Sequence, residues 1–271
     1  MRVVLLIISI NILFSQLCAQ DFSSLTLSKT INGDFDYFMP DELGNIFALT
    51  KSGQLKKYNN NLDSMGVFNE VRRYGKLYSI SADNPLRTVL YFKDYRTILV
   101  LDRLMQVVNK IDLRKVGIFQ VNAVSQSYDN RFWVFDEQES KLKKIDEEGK
   151  QILATADLRL VFSEPIVASY LFDFGGYVYL YDEKNGLFIF DYYGALKNRI
   201  AFLDWKQVHI VGKQIVGIKN NALLSYTQGN IDTKEFPLVE KLTNYNQIHF
   251  TANGCYILRG GSILKFDWSN N

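Results

Sequence analysis

A segment with the same apolar spacing occurs six times along this chain of 271 residues. Each copy ends in a large residue that we take as its anchor, and the residue three positions before the anchor is aliphatic in all six copies. The anchors are Tyr58, Leu101, Ile145, Phe190, Tyr226 and Phe266. They recur at intervals of 36 to 45 residues. This regularity predicts a set of similar units, each of which buries its apolar surface against its neighbours.

Each unit contains two apolar-rich runs joined by a short polar turn, which is the pattern of a β-hairpin. Another short strand candidate precedes each hairpin, and a fourth follows it in most units, as in QILATADL at residues 151–158. Aromatic residues make up 14% of the chain and only four prolines occur, which favours many short strands over helices. Four strands per unit at this period predict an all-β fold, a six-bladed β-propeller.

The sixth unit has no fourth strand of its own, because the chain ends five residues after Phe266. The N-terminal stretch FSSLTLSKT, residues 22–30, has the alternation of a strand and precedes the first unit. We predict that residues 23–29 pair with residues 263–266, so that the N-terminal strand completes the last blade and removes an open sheet edge. The predicted domain organisation is a signal peptide at 1–19 and one propeller domain at 20–271.

The first twenty residues have the composition of a secretory signal, with Arg2 before an apolar run from Val3 to Phe14. The run is shorter than the ~20 residues that a membrane-spanning helix needs, so we expect cleavage after Ala19 and no transmembrane segment in the mature chain. A lipid anchor at Cys18 is the alternative. The ending of this signal is similar to export signals of the Bacteroidota. The predicted location is the periplasm, or association with the outer membrane.

The repeats GNIFALTKSGQLKKYNNN (44–61) and RFWVFDEQESKLKKIDEEGK (131–150) resemble those of six-bladed propellers of the NHL type. The shared features are an aromatic-aliphatic strand, a turn, and a Leu three residues before an apolar residue that is followed by Asp or Asn. The resemblance implies the six-bladed architecture and no particular ligand.

Motifs of catalytic or metal-binding sites are missing from the sequence. It has no G-x-S-x-G, H-E-x-x-H or G-x-x-x-x-G-K-[ST] segment. After signal cleavage Cys255 is the only cysteine, and two histidines remain, which nearly excludes a Cys/His zinc site. A formal net charge of +2 argues against nucleic-acid binding.

Both histidines of the chain occur in one repeated frame, QVHIV at 207–211 and QIHFT at 247–251. Each histidine stands 17 residues before its anchor, so duplication explains the frame. The period of two along a strand places Gln207, His209, Gln247 and His249 on the faces opposite their aliphatic neighbours. We favour neutral histidines that are hydrogen-bonded between blades, and the alternative is a polar channel cluster that binds an anion or a metal ion.

Two further features are candidates for contacts. Tyr192 and Tyr193 lie next to Gly194 in a turn, where exposed aromatic residues can anchor a protein interface. The basic pair Lys143-Lys144 is expected on a solvated strand face.

These observations predict an exported, non-enzymatic propeller that serves as a protein-binding or scaffold module in the cell envelope and has no cofactor. One alternative is an enzyme that resembles the calcium-dependent lactonases, in which residues at comparable positions here are Asp36, Asp83, Asn84, Asn122 and Asp173. Another is a glycan-binding module that uses Trp205 or Trp268 as a stacking platform.

Overall fold

A computed structural model describes residues 22–162, 164–230 and 232–268. The predicted signal peptide and Cys18 lie outside these residues. Six four-stranded antiparallel sheets form the structure. The first strand of each sheet contacts the first strands of the two neighbouring sheets, and these contacts close into a ring. The protein is therefore a six-bladed β-propeller, as the repeats predict.

The strands follow the repeats in order. Blade 1 comprises β2 (Phe35–Pro40), β3 (Ile46–Thr50), β4 (Leu55–Tyr58) and β5 (Ser64–Phe68). Blade 2 comprises β6 (Ser79–Asn84), β7 (Arg87–Phe92), β8 (Thr97–Asp102) and β9 (Val107–Asp112). Blade 3 comprises β10 (Val121–Gln126), β11 (Phe132–Asp136), β12 (Lys141–Ile145) and β13 (Gln151–Ala154).

The second half repeats this organisation. Blade 4 comprises β14 (Tyr170–Phe174), β15 (Tyr177–Asp182), β16 (Gly186–Asp191) and β17 (Leu196–Ile200). Blade 5 comprises β18 (Lys206–Val211), β19 (Gln214–Lys219), β20 (Ala222–Thr227) and β21 (Lys234–Pro237). Blade 6 comprises β22 (Gln247–Thr251), β23 (Gly254–Arg259), β24 (Ser262–Trp268) and the N-terminal strand β1 (Leu25–Ile31).

Among residues 22–162, 164–230 and 232–268, helical structure is confined to short 3-10 turns. They are Phe22–Ser24, Val71–Tyr74, Leu113–Val116, Leu158–Leu160 and Glu240–Leu242. The first precedes β1, and the others lie in connections between blades. No helix within the described residues is long and apolar enough to cross a membrane.

Strand β1 occupies the position that the sequence analysis assigns to the N-terminal segment. It runs antiparallel to β24, with Leu27 opposite Phe266 and Ile31 opposite Ile263. The strand begins at Leu25 and not at Ser23, because Ser23 belongs to the preceding 3-10 turn. The last blade is therefore built from both ends of the described chain.

The core is divided among six clusters, and each cluster lies between two adjacent blades. The middle strands of a blade are covered on both faces by neighbouring blades, so they are apolar without alternation. Strand β11, with the sequence FWVFD, is buried along its whole length for this reason. Apolar packing between blades thus fixes their positions around the ring.

Antiparallel order gives the ring two distinct faces. Within each blade the turn between the first and second strands lies at the same end as the turn between the third and fourth strands. We call the surface formed by these turns the tip face. The opposite face carries the remaining turns and the connections between blades.

Candidate functional site

The two glutamines of the repeated frame connect three inner strands. In blade 5, Gln207 accepts a hydrogen bond through Oε1 from the backbone N–H of Ile248 in blade 6, at 2.7 Å. In blade 6, Gln247 binds the backbone of Phe38 in blade 1 twice, because its Oε1 accepts from the N–H at 3.0 Å and its Nε2 donates to the carbonyl at 2.7 Å. Each glutamine thus forms hydrogen bonds with backbone groups in the first strand of the next blade. These groups point away from the sheet to which that strand belongs.

His209 continues this pattern two residues further along. Its Nδ1 lies 2.6 Å from the carbonyl oxygen of Gln207, and the backbone N–H of Phe250 donates to its Nε2 at 3.0 Å. A carbonyl can only accept, so Nδ1 carries the proton and the ring is neutral. Burial lowers the pKa of His209 from its ordinary value to about 4.

A β-bulge makes this geometry possible. The register of β18 against β19 shifts between Lys206 and His209, and Gln207 has a positive φ of 53°. The bulge turns the Gln207 carbonyl toward the imidazole of its own frame. Nothing in the sequence QVHIV signals it, because a non-glycine residue rarely adopts this conformation.

His249 stacks on His209 and lacks the bond that His209 makes. The two ring centroids are 3.9 Å apart, with an angle of 23° between the planes. The backbone position in blade 1 that corresponds to Phe250 is Pro40, which has no N–H to donate. Neither ring nitrogen of His249 has a hydrogen-bond partner among residues 22–162, 164–230 and 232–268. Burial, and secondarily the adjacent His209, hold the pKa of His249 well below its usual range.

We expect Gln247→Leu to lower the free energy of unfolding by about 2 kcal/mol, because it leaves both polar groups of the Phe38 peptide without their partner. Gln54→Leu is the matched control, since the Gln54 amide donates to Asn69 at the surface and its loss should cost less than about 0.5 kcal/mol. Urea unfolding of the two variants measures the difference. Equal midpoints would show that Gln247 does not hold blades 6 and 1 together.

The two candidate interface residues, Tyr192 and Tyr193, differ in their surroundings. Tyr192 makes contacts within the protein, and Tyr193 is exposed. The hydroxyl of Tyr192 donates to the Asp173 carboxylate at 2.5 Å, and its ring stacks on Tyr128 with centroids 4.8 Å apart. Burial and the Asp173 carboxylate raise the pKa of Tyr192. Tyr193 projects into solvent from the same turn. Tyr192 is thus held against the exposed ring of Tyr128, while Tyr193 is itself exposed.

The expectation of a solvated face for Lys143-Lys144 is wrong, since both side chains are buried. Lys143 pairs with Asp136 at 2.7 Å and with Glu139 at 2.9 Å. Lys144 pairs with Asp129 at 2.9 Å. Its ammonium also lies 5.0 to 5.6 Å from the ring centroids of three aromatic residues, Tyr128, Trp133 and Tyr192. These cation–π contacts stabilise the positions of the Tyr128 and Tyr192 rings.

Five turns of the tip face share one hydrogen-bonding pattern. In each, the side chain of an Asp or Asn accepts from the backbone N–H groups two and four residues later, at 2.8 to 3.1 Å. The accepting residues are Asp41, Asn59, Asp102, Asp146 and Asp191. The third residue of each turn is exposed. These third residues are Leu43, Asn61, Leu104, Glu148 and Tyr193.

Large apolar side chains stand at five turns of the tip face, three of which have this hydrogen-bonding pattern. Their exposed fractions range from 63% to 87%. They are Leu43, Leu86, Leu104, Tyr128 and Tyr193, all on the tip face of blades 1 to 4. We call these five the apolar tips. Sequence reasoning found only Tyr193 among them, although an apolar residue two positions after the Asp of a turn is visible in DELGN and DRLMQ.

The geometry gives little support to the alternative of a calcium-dependent enzyme or to that of a glycan-binding module. The Asp173 carboxylate accepts from Ser127 at 2.6 Å and from the indole of Trp133 at 3.0 Å, besides Tyr192. Within the part of the chain that the structure describes, no three His, Cys, Asp or Glu side chains come close enough to hold a metal ion. Trp205 is buried against Phe202, so its predicted role as an exposed stacking platform is wrong.

The comparisons with known proteins agree with the fold. The chain is 12% identical to the WD40 domain of Pan2 from Neurospora crassa, over 93% of this chain and 98% of that one, with a TM-score of 0.65. It is 13% identical to virginiamycin B lyase from Staphylococcus aureus, over 85% and 79%, with a TM-score of 0.57. A chain of the mitotic checkpoint complex is 9% identical, over 96% and 100%, with a TM-score of 0.57. No protein-family model matches, and no curated protein matches in sequence. At these identities the likeness shows the β-propeller fold and leaves the activity open.

Proposed function

We propose that this protein is an exported, non-enzymatic propeller of the NHL-like type that binds another protein of the cell envelope through its tip face. The single observation that carries the proposal is the row of apolar tips on blades 1 to 4. Export is supported by the signal-like composition of residues 1–19.

The apolar tips are unusual for a turn, because short turns of a solvated surface are ordinarily polar. Scattered apolar residues need no explanation, but the distribution here is uneven. Of the seven large apolar side chains in the described residues that are at least 63% exposed, five lie on the tip face and two, Leu160 and Val161, on the opposite face, which favours the tip face as an interaction surface. Tyr193 and Tyr128 present large, rigid rings of the kind that dominate binding energy at protein interfaces.

The turns also hold the backbone of their exposed third residues in place before any partner arrives. The Asp102 carboxylate fixes the backbone N–H of Leu104 at 2.9 Å, and the Asp191 carboxylate fixes that of Tyr193 at 3.0 Å. A preorganised contact residue loses less conformational entropy on binding, so more of its burial energy appears as affinity.

The fold alone does not choose between binding and catalysis. Its structural neighbours include both a lyase and a component of the mitotic checkpoint complex. The apolar tips therefore support the proposal. An exposed apolar surface favours association because it is buried against the partner, and this requires no catalytic residues.

We expect Leu104→Ser and Tyr193→Ser each to weaken binding of the envelope partner about tenfold, since each removes an exposed apolar anchor. Leu160→Ser is the matched control, because Leu160 is 82% exposed and lies on the opposite face. The measurement is crosslinked capture from envelope extract, followed by titration of the protein that wild type and Leu160→Ser both retain. Retention that the tip variants do not reduce, or that Leu160→Ser reduces equally, would contradict the proposal.

A further inference from the structure

A groove lined by three carboxylates, among other groups, separates blades 6 and 1 on the tip face. It encloses a volume of about 510 Å³. One wall is the β2–β3 turn with Glu42, and the other contains His249, Tyr256 and Asp267. We propose that this groove binds the guanidinium group of an arginine side chain from a partner protein. The inference rests on the proposed protein-binding function for the class of the partner, and adds the chemistry that the partner presents.

The first reason is an imidazole whose hydrogen-bonding capacity is unused. In His209, Nε2 accepts a hydrogen bond from the backbone N–H of Phe250 in the next blade. His249 meets Pro40 at the corresponding place, so its nitrogens have no partner in the described chain and the ring lines the groove. A neutral imidazole keeps one acceptor nitrogen, which can receive an N–H from a guanidinium.

The second reason is charge. Glu42 forms no ion pair with any residue that the structure describes, and Asp267 has only Lys265, at 3.7 Å. The Lys265 ammonium instead donates to the side-chain oxygen of Asn60 at 2.8 Å. Asp41 adds a carboxylate whose oxygens are occupied by its own turn. The groove thus holds more negative charge than its one lysine balances.

Neighbouring groups respond to this negative charge. The pKa of the Tyr256 phenol is raised to about 12 by burial and by the carboxylates of Asp267 and Asp41. The pKa of the Cys255 thiol is raised to about 12 by burial and by Asp267. In both groups burial is the larger cause, and the carboxylates raise the pKa further because they oppose a second negative charge.

The dimensions favour an organic cation over a bare ion. The described residues bring no three metal-ligating side chains together, whereas the groove has the volume of a small-molecule site. A guanidinium is planar and directs five N–H donors outward, so it can reach acceptors that lie apart.

Two blocked amino acids serve as probes, N-acetyl-arginine amide and its uncharged isostere N-acetyl-citrulline amide. The described chain contains only two histidines, so the imidazole Cε1–H signals in NMR spectra report the groove directly, with His249→Gln used for assignment. We expect the arginine probe to shift the His249 signal saturably, and the citrulline probe to bind about tenfold more weakly.

Glu42→Gln should weaken the arginine probe about fivefold, as should Asp267→Asn. Glu148→Gln is the matched control, because Glu148 is an exposed acidic residue in a blade 3 turn on the same face. Equal binding of the two probes, no shift of His249, or equal affinity in Glu42→Gln and Glu148→Gln would overturn the assignment. The titration uses no partner protein, so its failure leaves the result of the tip-face capture intact.

Discussion

Leu25→Ala is expected to lower the free energy of unfolding by about 3 kcal/mol, whereas Leu27→Ala should change it by less than about 0.5 kcal/mol. Both residues lie in β1 and both substitutions remove the same atoms. Leu25 is 1% exposed and packs between blades 5 and 6, while Leu27 is 53% exposed. Urea unfolding measures the two changes, and their difference isolates the contribution of β1 to closure of the ring.

Removal of residues 22–31 should have a larger effect than either substitution. It deletes the strand that pairs with β24 and takes away Phe22, whose ring stacks on Trp268 with centroids 5.9 Å apart. The loss of several buried side chains is comparable with the ~5–15 kcal/mol that stabilises an ordinary domain. We expect no cooperative thermal transition and association through the exposed edge of β24. A melting curve like that of the intact chain would show that the ring does not depend on β1.

Acidification from pH 6.5 to pH 4 is expected to remove about 3 kcal/mol of stability through His209 alone. The folded pKa of about 4 lies below the ordinary value of 6.5, so between these limits the unfolded chain binds a proton that the folded chain does not. Stability is therefore complete above pH 6.5 and decreases as the pH falls toward 4. His249 acts in the same direction, because its pKa is also lowered.

The double variant His209→Gln/His249→Gln provides the control. A glutamine at position 209 can still accept from Phe250 through its amide oxygen, so stability at pH 7 should change little. The urea midpoint of the variant should then depend less on pH than that of the wild type between pH 7 and 4. Parallel pH profiles would mean that carboxylates, and not this imidazole pair, determine acid sensitivity.

The blades could be predicted because their signal is local. The aliphatic residue three positions before each anchor is buried in all six blades, including Leu55, Leu142 and Leu223. Side-chain direction alternates along a strand, so spacing within a few residues indicates which positions are buried. The pairing of β1 was predictable for a related reason, since the last unit shows three strand candidates and the N-terminal segment is a strand candidate outside the other five units.

The candidate site was only partly predictable, because its contacts join distant parts of the chain. Lys144 is buried by Tyr128 and Tyr192, which belong to two different blades. The difference between the two histidines depends on Pro40, which lies in the strand next to β22 but at the other end of the sequence. Periodicity identifies the residues of a strand. It does not reveal which side chains and backbone groups of the adjacent blade contact them.

The pairing of β1 with β24 also orders events in time. The hydroxyl of Ser28 donates to the carbonyl of Lys265, a contact between residues 237 positions apart. During synthesis β1 is made before the other described strands, and its partner β24 is made after them. Strand β1 therefore stays unpaired until β24 has been made. Contacts of such long sequence separation form slowly. A nascent chain that lacks residues 262–268 therefore cannot close the ring, whatever the state of its other five blades.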